Sequence, residues 1–265
     1  MFKGMQLEEF NQTFQTEEVC KQYLFDIKWK NRYTCRRCGC TRFWKGRTLF
    51  HARCADCGYD ESITSHTVFY KMQIPILKAF RMVFQISILK KGISSLELSK
   101  VFGIDEKTAF RFRERVHNAM ESWISKECRE KKNVNVTRLD SVLLMNRGEK
   151  LNGLQRLNLM MEEYTRGKSK LKVIKLIGLV PFNNSVDQCH LVAGRYVDER
   201  KSILVWNLKC WLTGTHHHCS EKNLQKYLNE FLFRYNNRHR QERIWHVLIN
   251  QMMLSKPHYL SGNAA

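Results

Sequence analysis

Cys35-Arg36-Arg37-Cys38-Gly39 and Cys54-Ala55-Asp56-Cys57-Gly58, with fifteen residues between Cys38 and Cys54, decide how this chain reads. A C-x2-C-x15-C-x2-C spacing is that of a structural zinc site. The glycine after each pair can take the positive φ that turns backbone N–H groups toward thiolate sulfur. Four thiolates, Cys35, Cys38, Cys54 and Cys57, close a tetrahedron and leave no position for an activated water, so such a zinc organises a fold. The competing reading, four unligated buried cysteines, requires both knuckles and the loop length to have arisen independently. Cys40 adjoins the first knuckle as a bystander.

Between the knuckles, Arg42-Phe43-Trp44-Lys45 and Leu49-Phe50-His51-Ala52-Arg53 read as two short strands around Gly46-Arg47. The basic residues there, Arg36 and Arg37 among them, either contact phosphate or form a solvated rim. Upstream, Phe10, Phe14, Cys20, Tyr23 and Leu24 recur at three- and four-residue steps, predicting short amphipathic helices that cover the zinc unit. Downstream of Pro75, the stripe Ile76, Leu77, Phe80, Val83, Phe84 and Ile88 predicts a helix of about four turns.

Gly92-Ile93-Ser94-Ser95 then opens a serine-capped helix, Phe102-Gly103-Ile104 a tight turn, and Asp105-Glu106-Lys107-Thr108 a second capped helix. This is the pattern of a helix-turn-helix. Its second helix offers Lys107, Thr108, Arg111 and Arg115 outward for a major groove, with Ala109, Phe110 and Val116 inward. An ordinary helical hairpin with a charged face is the alternative.

The bulk charge bears on that choice: 45 Lys+Arg against 25 Asp+Glu give a formal net charge of +20. Such an excess suits a polyanion, and double-stranded DNA is the expected partner. The other six of the ten cysteines form no framework and no charged-then-apolar leader begins at Met1, which points to a reducing cytoplasm. No apolar run approaches the roughly 20 residues that span a bilayer, so no membrane partner is expected.

In the second half, Val134, Val136 and Leu139 alternate with polar residues and put Asp140 at a strand end. Lys170 to Val180 alternates and then becomes continuously apolar, as a central strand of a mixed sheet would. A helix capped by Ser220 carries Leu224, Tyr227, Leu228, Phe231 and Tyr235 on one face. His216-His217-His218 point in different directions and cannot all face one ion. Glu230 reads as a helix-face charge, and Trp206 and Trp211 as core.

Two blocks carry a family resemblance. The first runs from Glu17-Glu18-Val19-Cys20 through the ribbon and Ser62-Ile63-Thr64-Ser65-His66-Thr67 to Lys91-Gly92-Ile93-Ser94 and Lys107-Thr108-Ala109. The second is Asn207-Leu208-Lys209-Cys210-Trp211-Leu212 with Tyr227-Leu228-Asn229-Glu230-Phe231 and Phe233-Arg234-Tyr235-Asn236. In these the chain resembles bacterial insertion-sequence transposases that join an N-terminal zinc ribbon to a DDE-type, ribonuclease-H-like domain. The resemblance implies binding of terminal inverted repeats and strand cleavage and transfer with catalytic Mg2+, by an oligomer on DNA in the bacterial cytoplasm, associated with the nucleoid. Asp140 takes the place of the first carboxylate and Lys209 that of the family's lysine. Asp187 or Asp198 are candidates for the second acid, or else Ile177-Gly178 is that site with its acid replaced, and Ser202, near Glu199, falls at the third position. The segment from Asp140 to Lys209 is shorter than a complete domain of this type. Two rivals follow, a catalytically inactive remnant that only binds DNA and a zinc-ribbon transcription regulator.

The expected fold class is multidomain α+β: an N-terminal helical segment (1–27), a zinc ribbon (28–70), a helix-turn-helix region (71–128) and a ribonuclease-H-like α/β, DDE transposase-like domain (133–250), the last incomplete. With a charge of +20, duplex DNA affinity is expected to fall steeply with salt, by a log–log slope of about 0.9 per phosphate neutralised. A slope near zero in a fluorescence-anisotropy titration would contradict phosphate-dominated binding.

Overall fold

Phe10, Phe14, Tyr23, Phe80, Phe84 and Trp245 crowd together in the N-terminal core, in a computed structural model that describes residues 7–30, 32–89, 91–131, 133–145, 154–166, 168–181, 202–215, 221–239 and 244–255. The chain divides into two units, one of residues 1–88, 95–119 and 240–265, the other of residues 89–94 and 120–239.

In the first unit, α1 (Leu7–Thr13) and α2 (Glu17–Phe25) are followed by a π-helical turn, Asp26–Lys30. Thr16 caps α2, its hydroxyl accepting from the Val19 N–H at 3.4 Å. Strands β1 (Phe43–Lys45), β2 (His51–Cys54) and β3 (Asp60–Ser62) form an antiparallel sheet in that order. β1 and β2 are the expected hairpin; β3 is too short to carry a periodicity and was not anticipated. Gly46 is obligatory at the turn, because a Cβ there would stand 2.1 Å from the Asp60 carboxylate and 2.7 Å from the His51 Cβ.

Three further helices belong here, α3 (Ile76–Ile88), α4 (Ser95–Phe102) and the start of α5 (Glu106–Glu130). The Glu17 carboxylate accepts the Ile76 N–H at 2.7 Å, satisfying a donor at the open first turn of α3. α4 ends as Gly103 turns to φ +56° and the Ile104 N–H bonds back to the Ser99 carbonyl at 3.1 Å, a Schellman closure. Asp105 then caps α5, accepting the Thr108 N–H at 3.2 Å.

The expected inward set on α5 needs one correction. Ala109 and Val116 are buried, but Phe110 is 43 % exposed and Phe112 takes the inward place. At about 100° per residue, position 110 falls just outside the arc held by 109, 112, 113 and 116.

The helix that ends the described chain, α8 (Ile244–Leu254), packs in this first unit, although residues 133–250 were expected together. Trp245 is the reason. Its ring lies 4.8 Å from that of Phe14 and 5.3 Å from those of Phe10 and Phe80, and its indole N–H donates to the Phe80 carbonyl at 3.4 Å. The Val68 N–H donates to the Met252 carbonyl at 3.0 Å. α1 and the body of α2 therefore serve the α3–α8 core, and α2 meets the ribbon at its last residue, Phe25. The ribbon's Phe43 is met by Phe25 and Trp29.

The second unit holds β4 (Asn133–Met145), β5 (Leu154–Arg166) and β6 (Ser169–Pro181), antiparallel in that order, with α6 (Ile203–Thr215) and α7 (Glu221–Asn236). Asp140 lies mid-strand, paired with Leu159, rather than at a strand end. β6 is an edge of this sheet among the described residues, not the centre of a mixed one; the centre is β5, which the periodicity did not reveal. α7 closes that edge. Asn236 accepts the Lys172 N–H at 2.9 Å and donates to the Lys172 carbonyl at 2.7 Å, imitating a neighbouring strand, and Gln225 accepts the Leu176 N–H at 3.2 Å. Glu230 is fully buried, 3.6 Å from Arg234, and not a surface charge. Trp211 is buried as expected, whereas Trp206 is 58 % exposed.

Trp245→Ala is expected to lower the stability of the first unit by about 3–5 kcal/mol in urea unfolding, the cost of emptying a fully buried aromatic site. A loss under about 1 kcal/mol, the size of a surface substitution, would show that α8 is peripheral.

Candidate metal centre and nucleic-acid interface

The sulfurs of Cys35, Cys38, Cys54 and Cys57 all lie within 4.8 Å of one another. Cys35 and Cys57 are 3.6 Å apart, Cys38 and Cys54 3.4 Å. Four sulfurs at about 2.3 Å from a central zinc would stand about 3.8 Å from each other, so the set is already of the right size. Both knuckle glycines have the expected backbone, φ +77° at Gly39 and +68° at Gly58. Cys40 stands outside the set, its sulfur accepting the Arg42 N–H at 3.3 Å.

The electrostatics of the set call for a cation. Burial opposes ionisation of Cys35, yet the N–H groups of Cys38 and Arg37 hold its thiol below the ordinary range. The Cys57 N–H, against burial and with help from the Asp56 N–H, brings Cys54 down to about 6. Cys38 is pushed up to about 12 although the Cys40 N–H favours its thiolate, because the neighbouring sulfurs oppose a further negative charge. Four thiolates can coexist here only around a divalent cation, and the donor set suits zinc. Among the described residues this is the one place where three or more thiol, imidazole or carboxylate donors converge.

Beneath the ribbon, the Lys28 ammonium reaches Glu61 at 2.8 Å and the carbonyls of Ser62 and Ser65 at 2.8 Å each. Burial brings its pKa down to about 8 despite Glu61. Of the two knuckle arginines, Arg36 leans on the same carboxylate at 3.5 Å while half exposed. Arg37 is exposed.

On α5, Lys107 and Arg111 are exposed and Thr108 is half-buried. Arg115 is differently placed. One terminal nitrogen donates to the carbonyls of Val68 at 2.9 Å and Tyr70 at 3.0 Å, tying the preceding loop to the helix. That loop and α5 enclose a hollow of about 280 Å³ lined by Lys71, Met72, Ile74, Thr108, Arg111 and Phe112, with Arg115 and Gln73 completing it. Lys71, which the sequence reading did not single out, has φ +49°, unusual for a residue with a side chain.

In the second unit, Asp140 accepts the Ser141 N–H at 2.8 Å and the Ser202 N–H at 3.2 Å. Ser202 also caps α6, its hydroxyl accepting the Leu204 N–H at 3.3 Å. Lys209 follows seven residues on along α6, about two turns away. The residues expected at the first-acid and third positions thus meet, and Ile177-Gly178 stands two strands across the sheet, about 10 Å away. Asp187, Asp198, Glu199 and the histidine run 216–218 lie outside the described residues. Among the described residues, Asp140 and the Ser202 hydroxyl are the hard oxygen donors of the expected set that come together; a catalytic Mg2+ would need further ones.

The family model of a transposase zinc-ribbon domain matches residues 15–60, and that of an ISXO2-like transposase domain matches residues 201–236. Both matches are to domains of insertion-sequence transposases, one near each end of the chain, and together they support that kind of protein. The first spans α2 and the four-cysteine ribbon; the second spans α6 and α7 and ends on Asn236, the residue that clasps β6. No curated protein and no solved structure matches the chain significantly. Among the described residues, no helix is long and apolar enough to cross a membrane.

Elemental analysis of the purified chain is expected to find about one zinc, and its removal by a chelator to unfold residues 35–57 and to weaken DNA binding. Unchanged circular dichroism and affinity after verified metal loss would overturn the assignment.

Proposed function

We propose that this transposase-family chain is a protein of terminal inverted repeats that grips duplex DNA and does not cut it unaided. The zinc ribbon forms one contact and the α4–α5 pair, read as a helix-turn-helix, the other. The observation that carries this is the exposed cationic opening of α5, Lys107 and Arg111 with Thr108 between them, in a chain of net charge +20. Cations on a helix that opens after a tight turn suit phosphates flanking a major groove. Arg36 and Arg37 add charge at the first knuckle. Repeat ends come in pairs, so the working form is an oligomer on DNA, in a bacterial cytoplasm close to the nucleoid.

The β4–β6 sheet with α6 and α7 reads as part of a ribonuclease-H-like unit. Only 21 residues, Phe182–Ser202, join β6 to α6. Among the described residues, Asp140 is the one acid of the expected set, and it serves the start of α6 by accepting the Ser202 N–H. The shortness of that join favours a binding protein over a nuclease. A second reading, cleavage by Asp140 and Asp187 with Mg2+ and Lys209 beside the phosphate, draws its support from the meeting of Asp140, Ser202 and α6.

The full chain with Mg2+ and a duplex bearing the repeat is expected to shift the DNA and leave both strands intact. Cleavage that disappears in Asp140→Ala would replace this reading with the cutting one. Failure to bind any duplex at low salt would sink both.

A further inference from the structure

The hollow between the Lys71–Ile74 loop and α5 has a composition that an ordinary surface dip lacks. Its rim is cationic from both sides, Lys71 on the loop and Arg111 on the helix, with the Thr108 hydroxyl as an additional donor. Its floor is apolar, made by Met72, Ile74 and Phe112, the last two almost fully buried. An apolar floor lowers the local dielectric, so an anion seated above it is attracted to the rim cations more strongly than on open surface.

The loop is held in this shape at a cost. Lys71 sits at φ +49° with its ammonium 5.6 Å from the Tyr70 ring centroid. A left-handed lysine persists where the surroundings impose it. Arg115 pins the chain just ahead of Lys71, through its bonds to the Val68 and Tyr70 carbonyls. Arg115 is accordingly a positioning residue, and its place as a phosphate contact passes to Lys71.

We propose that this hollow seats a backbone phosphate of duplex DNA between Lys71 and Arg111, making the Lys71–Ile74 loop a second contact beside α5. The inference rests on the DNA-binding reading above and adds a site to it. A duplex is the favoured source of the phosphate because both cations border the exposed side of α5, the side that carries Lys107. The hollow, at about 280 Å³, has room for a phosphate with its flanking sugar.

The test uses the full chain and a duplex of mixed sequence, titrated by anisotropy over a series of salt concentrations. Lys71→Gly removes the charge and keeps the left-handed backbone without strain, and Lys71→Arg keeps the charge. Expected is a log–log salt slope smaller by about one in Lys71→Gly, with the slope restored in Lys71→Arg. Arg111→Gln combined with Lys71→Gly should lose less than the two single changes summed, since both cations serve one phosphate. Wild-type binding with an unchanged slope and affinity in Lys71→Gly, at equal thermal stability, overturns the site while leaving the DNA-binding reading intact. Absence of DNA binding by the wild-type chain overturns the reading itself. Protection by inorganic phosphate in a thermal-shift assay that Lys71→Gly abolishes, with DNA affinity unaltered, would reassign the hollow to a free anion and overturn the duplex assignment.

Discussion

Sulfur atoms that stand 3.4 to 3.6 Å apart in pairs, inside a set no wider than 4.8 Å, impose the first constraint on this protein. Neutral thiols gain little from such crowding, and thiolates repel. The backbone nonetheless aims N–H groups at Cys35 and Cys54 and turns both knuckles through left-handed glycines. That arrangement is worth its cost only around a divalent cation. Much of the ribbon's geometry follows: the β1–β2 hairpin spans the distance between knuckles, Gly46 lets it turn over Asp60, and the Lys28–Glu61 pair fixes β3 to the π-helical turn.

What the ribbon lacks is an apolar core of its own. Its contribution to burial is an aromatic seam, Phe43 against Tyr33, Phe25 and Trp29, which continues from α2. The larger hydrophobic gain lies in the rings around Trp245, where α1, α2, α3 and α8 each supply a side chain or more. In the second unit, α7 protects the sheet by offering amide side chains to the β6 edge, so Asn236 and Gln225 do what a fourth strand would otherwise do there.

How much of this was legible in the residues depended on how local the cause was. Cysteine spacing, the Asp105 cap and the α3 stripe act over a few positions and read directly. Phe110 did not, because a helix face has an edge and one position of rotation decides which side a ring falls on. Trp206 and Glu230 were misplaced for a related reason: burial belongs to the partner surface, and nothing within α6 or α7 identifies that partner. β5 carries no clean alternation although it is paired on both edges. The tie from Arg115 to carbonyls 47 and 45 residues away in the chain could not be read from α5 alone. As for the catalytic set, Asp140 and Lys209 could be named from the resemblance alone, but the Ser202 contact to Asp140 required the fold.

The return of α8 to the N-terminal helices has a consequence for biosynthesis. A nascent chain would have exposed the Phe10, Phe14, Phe80 and Phe84 rings long before residue 245 leaves the ribosome, so the first unit completes its core only after the whole second unit has been made. The metal-bearing head is therefore translated ahead of the second unit but closes its core after it. A frameshift or stop ahead of Ile244 would release a head without its keystone, open to proteolysis before it could occupy DNA.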